Sequence, residues 1–355
     1  MVLMSVQSLS KHSLEPIQCW PLSFGADMRR REFISLLGVL GSGATWPVAA
    51  RAQQGAMRVV GFLGTLSADT IADRLRAFRQ GLSEIGYIEG RNLAIEYQSA
   101  DGQNDRFPKM AADFVRRQVS AIVSFGLPAA LAAKAATTTI PIVFFGGFDP
   151  VAFGVVASLN RPGGNVTGVT ELGVELGRKR LELLHELVPA ATAFALLVNP
   201  TNPNAEITTT TIQAAARTLG LQLHVLHASV ERDIDSAFAT LVQLGAGGLV
   251  IAAEPLFGSR SEQIARLAIR HTMPAIYQFR SFAAAGGLIS YGGDVIDLHR
   301  QVGVYTGRIL KGEKPTDLPV QQATKVEMIV NLKTAKALGV EVPTSLLLRA
   351  DEVIE

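Results

Sequence analysis

The 355-residue chain has a single cysteine, Cys19. Everything beyond it therefore lacks a disulfide framework, a thiolate metal site and a cysteine nucleophile. Such a chain can occupy an oxidising compartment without mispaired thiols. Catalytic signatures are also missing: no G-x-S-x-G elbow, G-x-x-x-x-G-K-[ST] loop or H-E-x-x-H helix occurs. His185, His224, His227, His271 and His299 are scattered without metal-ligand spacing, and Gly61-Phe62-Leu63-Gly64 lacks the third glycine of a dinucleotide fingerprint. The expectation is a protein that is not an enzyme and holds no cofactor or metal. After residue 52 no apolar run approaches the ~20 residues that span a bilayer. An excess of one charge is absent there too. Residues 1–52 carry five Lys or Arg and three Asp or Glu, and the remainder has 28 of each, a formal net charge of zero. The basic footprint that nucleic acid requires is missing, so no nucleic-acid partner is expected.

What is present begins with "MRRREFISLLGVLGSGATWPVAARAQQ", from Met28 to Gln54. Arg29, Arg30 and Arg31 give a positive start, Phe33 to Ala44 is largely apolar, and Ala50-Arg51-Ala52 is a small-x-small site. Residues 28–52 read as a signal peptide cleaved after Ala52, which places the protein in the periplasm. Arg30-Arg31 followed by Phe33-Ile34 is similar to the twin-arginine export motif, with ordinary secretion the alternative. Residues 1–27 have no role in this scheme, since signals sit at the N-terminus. They read as a misassigned gene start or a disordered extension.

From Met57 onward, β-rich runs alternate with helical periods. "RVVGFLG" reads as a strand, and "IADRLRAFRQGLSEIGY" as an amphipathic helix with Leu75, Phe78, Leu82 and Ile85 on one face. Strand–helix alternation continues through "NLAIEYQSA", "AIVSFG", "PIVFF", a helix over "DPVAFGVVASLN", and "VTGVT". It then restarts at "GRKRLELLHELVP" and runs to "PAIYQF". Alternation of this kind implies right-handed βαβ crossovers and parallel sheets. Two α/β lobes are expected: residues 57–168 plus about 288–312, and 169–287 plus about 319–355. In open parallel sheets, ligands collect beyond the carboxyl ends of the strands. Two such sheets face to face would form a clamp that closes on a small molecule by hinge bending.

The strand-end loops supply the candidate ligand-binding residues. Thr65, Leu66 and Ser67 follow the first strand, where hydroxyls and helix-terminal amides suit an anionic group; a helix cap explains Ser67 equally well. Phe125 could stack on a planar ligand, Gly126 permits close backbone approach, and Pro128 suits a first helical turn. Phe145 and Asp149 follow the fourth strand, the acid serving either a ligand ammonium or the next helix as a cap. In the second lobe, "NPTNPNAE" offers Asn199, Asn202 and Asn204 on a stiff loop, although turn formation alone accounts for such a stretch as readily. Glu254, Tyr277 and Tyr291 complete the expected rim.

The stretches "IPIVFFGGFDPVAFGVVASLNRPGGNVTGVT", "KRLELLHELVP", "LLVNPTNPNAE", "AAGGLISYGGD", "GRILKGEKPTDLPVQQATKVEMIVNLKTAKALG" and "LLLRADEVIE" occur in this order. Together they resemble the ABC-transporter substrate-binding family related to tryptophan and tyrosine binders. The resemblance runs from about Met28 to Glu355. It implies a type I periplasmic-binding-protein fold, with two Rossmann-like lobes joined by hinge strands. It also implies a monomer that binds a small-molecule solute, amino-acid-like or aromatic, and partners an ABC permease in the inner membrane. A sensory module that passes occupancy to a signalling receptor would use the same clamp. Two departures stand out. Aromatic amino acid binders commonly have Thr-Pro-Ala where this chain has Leu127-Pro128-Ala129, and Asp-Asn where it has Glu254-Pro255.

Overall fold

The computed structural model describes residues 57–355 apart from Leu172 and Thr324. The expected extension, signal peptide and cleavage site lie outside the described residues.

The first half runs β1 (Arg58–Gly64), α1 (Ala72–Glu84), β2 (Leu93–Ser99), α2 (Phe107–Arg116), β3 (Ala121–Phe125), α3 (Leu127–Ala136), β4 (Ile142–Gly146) and β5 (Val166–Thr170). β3 to β5 are buried along almost their whole length, as strands covered on both faces by helices must be. α1 buries Leu75, Phe78 and Leu82 at its apolar spacing. The helix expected over "DPVAFGVVASLN" does not form, and the stretch is a series of turns. Asp149 Oδ1 accepts from the amides of Val151 and Ala152, and Gly154 takes a left-handed φ of 64°. A short acidic side chain that folds back on its own backbone competes with helix here.

The second half runs α4 (Gly173–Leu187), β6 (Ala193–Val198), α5 (Ala205–Thr218), β7 (Gln222–His227), α6 (Glu231–Gln243), β8 (Leu249–Ile251), α7 (Pro255–Ser259), α8 (Ser261–Arg270), β9 (Ala275–Tyr277), α9 (Arg280–Ala284) and β10 (Ile289–Gly293). After it come α10 (Val295–Leu310), β11 (Gln321–Gln322), β12 (Val326–Asn331), α11 (Leu332–Leu338), α12 (Thr344–Leu347) and β13 (Glu352–Ile354).

One sheet has the order β11-β5-β4-β3-β1-β2, with every pair parallel. The other has the order β13-β12-β10-β9-β8-β6-β7, parallel except where β10 meets β12. Each sheet carries apolar cores on both faces. The chain passes between lobes three times: after β5, between β10 and α10, and between β11 and β12. The pairing shifts three boundaries from the sequence expectation. Val169 and Thr170 belong to the first sheet, as do Gln321–Gln322, and Ile289–Gly293 belongs to the second. The cause is that β10 hydrogen-bonds to β9 before the chain crosses, and β11 pairs with β5 before it returns.

α10 packs on α1 in the first lobe, burying Leu298, Val302, Tyr305 and Ile309 with Phe78 and Leu82. Glycines allow this approach. A Cβ at Gly81 would lie 1.9 Å from Arg300 O, and one at Gly303 would lie 2.1 Å from Phe78 O. Both obstacles are backbone, so the helices would have to separate. Gly303→Ala is expected to lower stability by roughly 1–3 kcal/mol, measured by denaturant unfolding at constant m-value. An unchanged midpoint would show that the two helices can part freely.

A candidate ligand cleft between the lobes

The carboxyl ends of β1, β3 and β4 face loops of the second lobe across a cleft. About 90 Å³ is open to the centre of a water-sized sphere, several times what one water requires at ~10–15 Å³. The first lobe contributes Thr65 and Leu66, Ile71 and Arg74 from the start of α1, and Phe125, Gly126, Phe145 and Phe148. The second contributes Asn202, Asn204, Glu254 and Phe279, while Glu171 and His299 lie at the crossings.

The first-lobe wall is shaped by close packing behind it. Tyr97 OH donates to Leu66 O and pins that loop. A Cβ at Gly64 would lie 2.1 Å from the same hydroxyl, so glycine is required there. Gly126 has φ 88° and ψ 158°, a combination open essentially to glycine alone. Its amide bonds Phe145 O at 2.8 Å. Phe125 stacks on Phe62 at 4.6 Å and on His299 at 4.5 Å, making a continuous aromatic wall.

Arg74 stands in the first turn of α1, where the helix dipole disfavours a cation. Among the described residues it has no hydrogen-bond or ion-pair partner. Its guanidinium lies 5.6 Å from the Phe279 ring centre, so the two lobes approach each other here. Burial pulls its pKa down, opposed by Glu171 and Tyr97. On the opposite side, Glu254 is 6% exposed. It accepts from Asn199 Nδ2 at 3.1 Å and Asn202 Nδ2 at 2.5 Å. Burial raises its pKa, and the two amides and the Leu256 amide counter this. All three donors are neutral, so Glu254 has no cationic partner among the described residues. Asn204 Nδ2 reaches Gly147 O across the cleft at 3.4 Å, and its Oδ1 has no partner there.

The sequence candidates separate into two groups. Thr65, Leu66, Phe125, Gly126, Phe145, Asn202, Asn204 and Glu254 line the cleft; Ser67, Pro128, Asp149, Asn199, Tyr277 and Tyr291 lie off its wall. Ser67 Oγ bonds Thr70, Pro128 sits in the first turn of α3, and Asp149 caps its own turn. Asn199 lies behind Glu254 and orients it. Tyr277 is fully buried against Phe282 in the second core, and Tyr291 offers its carbonyl to Arg180. Arg74 and His299 are lining residues that the strand-end rule passes over, since both lie on helices; Glu171 directly follows β5, where the rule applies, and is not among the candidates. A cation in the first turn of α1, against the helix dipole, was the available signal for Arg74.

Glu171 is 2% exposed at the first crossing. Burial lifts its pKa to about 7, while Arg180, Arg74 and the Gly293 amide act in the opposite direction. Arg180, 1% exposed, donates through Nε to Tyr291 O at 2.9 Å, and burial holds its pKa down at about 10. Between pH 4.5 and about 7 the folded protein therefore binds more protons at Glu171 than the unfolded chain does. Stability from this site is greatest below the unfolded value and falls as pH rises through that window. Melting temperatures of the wild type and Glu171→Gln, compared from about pH 4.5 to 8, should converge toward the acid end and diverge in favour of the variant near neutrality. Parallel curves would remove Glu171 as the titrating group.

A model of the family described as "ABC transporter substrate binding protein" matches residues 59–354. A tyrosine-binding protein of Clostridioides difficile is 28% identical over 267 residues, covering 75% of this chain and 76% of that protein. A conserved domain protein of Vibrio cholerae superposes with a TM-score of 0.78 at 27% identity, covering 84% of this chain and 99% of that one. A Streptococcus pneumoniae ABC domain in complex with L-Trp superposes with a TM-score of 0.76 at 24% identity, covering 84% and 100%. Two parallel-sheet lobes, three crossings and these likenesses make the fold that of the type I periplasmic binding proteins. The chain belongs to the ABC transporter substrate-binding protein family.

Proposed function

We propose that the protein is the periplasmic receptor of an ABC importer, binding an amino acid with an aromatic side chain and passing it to an inner-membrane permease. One observation carries this reading. Arg74 on the first lobe, influenced by Glu171 but in no ion pair among the described residues, and Glu254 on the second, held by neutral amides, flank a cleft walled by Phe125, Phe145, Phe148 and Phe279. A zwitterion complements the two charges, its carboxylate toward Arg74 and its ammonium toward Glu254 and Asn204 Oδ1. A planar side chain complements the rings, which favour offset or edge-on aromatic contacts. The ligands named for two relatives, tyrosine and L-Trp, agree with that chemistry.

Contacts to both lobes also give closure its driving force. A ligand shifts an equilibrium only by its differential affinity for the two states. Moving a population from 1:99 to 99:1 takes ~5.5 kcal/mol. The leader read in residues 28–52 supplies the export that a periplasmic receptor needs.

Calorimetric titration of the protein with the common amino acids and with aromatic acids lacking the amine tests the reading. Aromatic amino acids should bind, and the deaminated acids should bind markedly less tightly. Arg74→Gln should weaken binding roughly 10- to 150-fold, the usual worth of hydrogen bonds to a charged group. Ligand should also lower the radius of gyration in solution scattering. Full affinity in Arg74→Gln would refute the carboxylate assignment, and an unchanged scattering profile with confirmed binding would refute hinge closure.

A further inference from the structure

The zwitterionic head leaves one unsatisfied cleft group unused. His299, near the start of α10, is 1% exposed and lines the cleft. Its Nδ1 lies 2.6 Å from Val295 O, an acceptor only, so Nδ1 carries the proton and donates. The neutral ring then presents Nε2 as a lone-pair acceptor. Nε2 is buried and has no hydrogen-bond partner among the described residues. Burial and the neighbouring Arg74 charge push the ring's pKa down to about 3, opposed only by the Val295 carbonyl, so it stays neutral across the physiological range.

The surroundings specify the kind of donor that Nε2 would meet. The imidazole stacks on Phe125 at 4.5 Å and 22°, and meets Phe145 at 5.1 Å and 55°. It is the polar member of an aromatic wall, and a planar ligand body seated against that wall would lie beside it. A buried acceptor left unmade is costly, and a site built around one rejects an analogue that lacks the matching donor. We propose that His299 Nε2 accepts a hydrogen bond from an N–H or O–H on the ligand's ring, so that the cleft selects tyrosine- or tryptophan-like side chains over phenylalanine. This inference rests on the aromatic amino acid reading and narrows it.

The test is calorimetric titration of the wild type, His299→Phe and His299→Gln with tyrosine, tryptophan and phenylalanine, each variant's folding checked by thermal melting. In the wild type at least one of the two donor-bearing ligands should bind about tenfold or more tightly than phenylalanine. His299→Phe should erase that gap while phenylalanine still binds. His299→Gln, whose Oε1 can accept, should retain part of it. The wild-type gap should hold constant between about pH 5.5 and 8, because the acceptor is neutral throughout. Phenylalanine binding as tightly as both others overturns the inference, as does a gap undiminished in His299→Phe. If neither variant folds, the wild-type comparison and its pH profile decide alone. Failure of all three ligands to bind the wild type is a different result: it removes the aromatic amino acid reading, and this inference with it.

Discussion

Parallel strands joined by right-handed crossovers leave every strand-to-helix loop at one edge of the sheet. The first sheet follows that rule throughout and the second from β6 to β10, whereas β12 runs antiparallel to β10 and its loop opens at the opposite edge. The three crossings turn the two loop-bearing edges toward each other, and the cleft is the space between them. Glycine at 64 and 126 shapes its first-lobe wall, letting the chain pass close to Tyr97 and turn sharply after β3. The hinge itself is polar. Glu171, the Gly293 amide and Arg180 are buried side by side where the crossings meet, and each lowers the electrostatic cost of the other.

The cleft's charges owe their availability to where their usual partners are spent. Arg76, two residues past Arg74, pairs with Asp73 on the outer surface, and Arg79 pairs with Glu89. Such exposed pairs are worth little. Arg74 alone of this helix's arginines points into the cleft. Glu254 is held by amide donors rather than by a cation, so its negative charge is fixed in position but not neutralised. A buried carboxylate of this kind is tolerable only with its oxygens hydrogen-bonded, which accounts for Asn199 and Asn202 on the stiff loop after β6.

Periodicity made the lobes legible from the sequence, since strand–helix alternation needs no long-range information. It placed nearly every strand. It failed over residues 149–160, where a local Asx-type hydrogen bond and Gly154 outweighed apolar content. It also misplaced β10 and β11, because which sheet a short strand joins is settled by pairing across the hinge. Loop residues at strand ends were legible for the same geometric reason, and eight of the fourteen candidates reach the cleft wall. Arg74 and His299 were not, because each enters the site through tertiary packing of a helix, which the spacing of residues in one segment does not encode; Glu171, directly after β5, was within reach of the same rule and was not named. Asn199 shows the converse: its loop was correctly chosen, yet its side chain turns away from the cleft to hold Glu254.

That division between lobes bears on how occupancy would become closure. A ligand held by one lobe alone has the same contacts whether the hinge is open or shut, and so shifts nothing. Here the free cation belongs to α1 and the uncompensated anion to the loop after β8, on opposite sides of the hinge. A zwitterion satisfies both only when the halves approach, as Arg74 and Phe279 already do. The aromatic wall lies mainly within the first lobe, where Phe125, Phe145 and His299 form one stack. On the proposed reading, ring recognition sets which solute enters, and the charged head sets whether the clamp shuts. A solute with the right ring and no ammonium would then occupy the first lobe without drawing in the second.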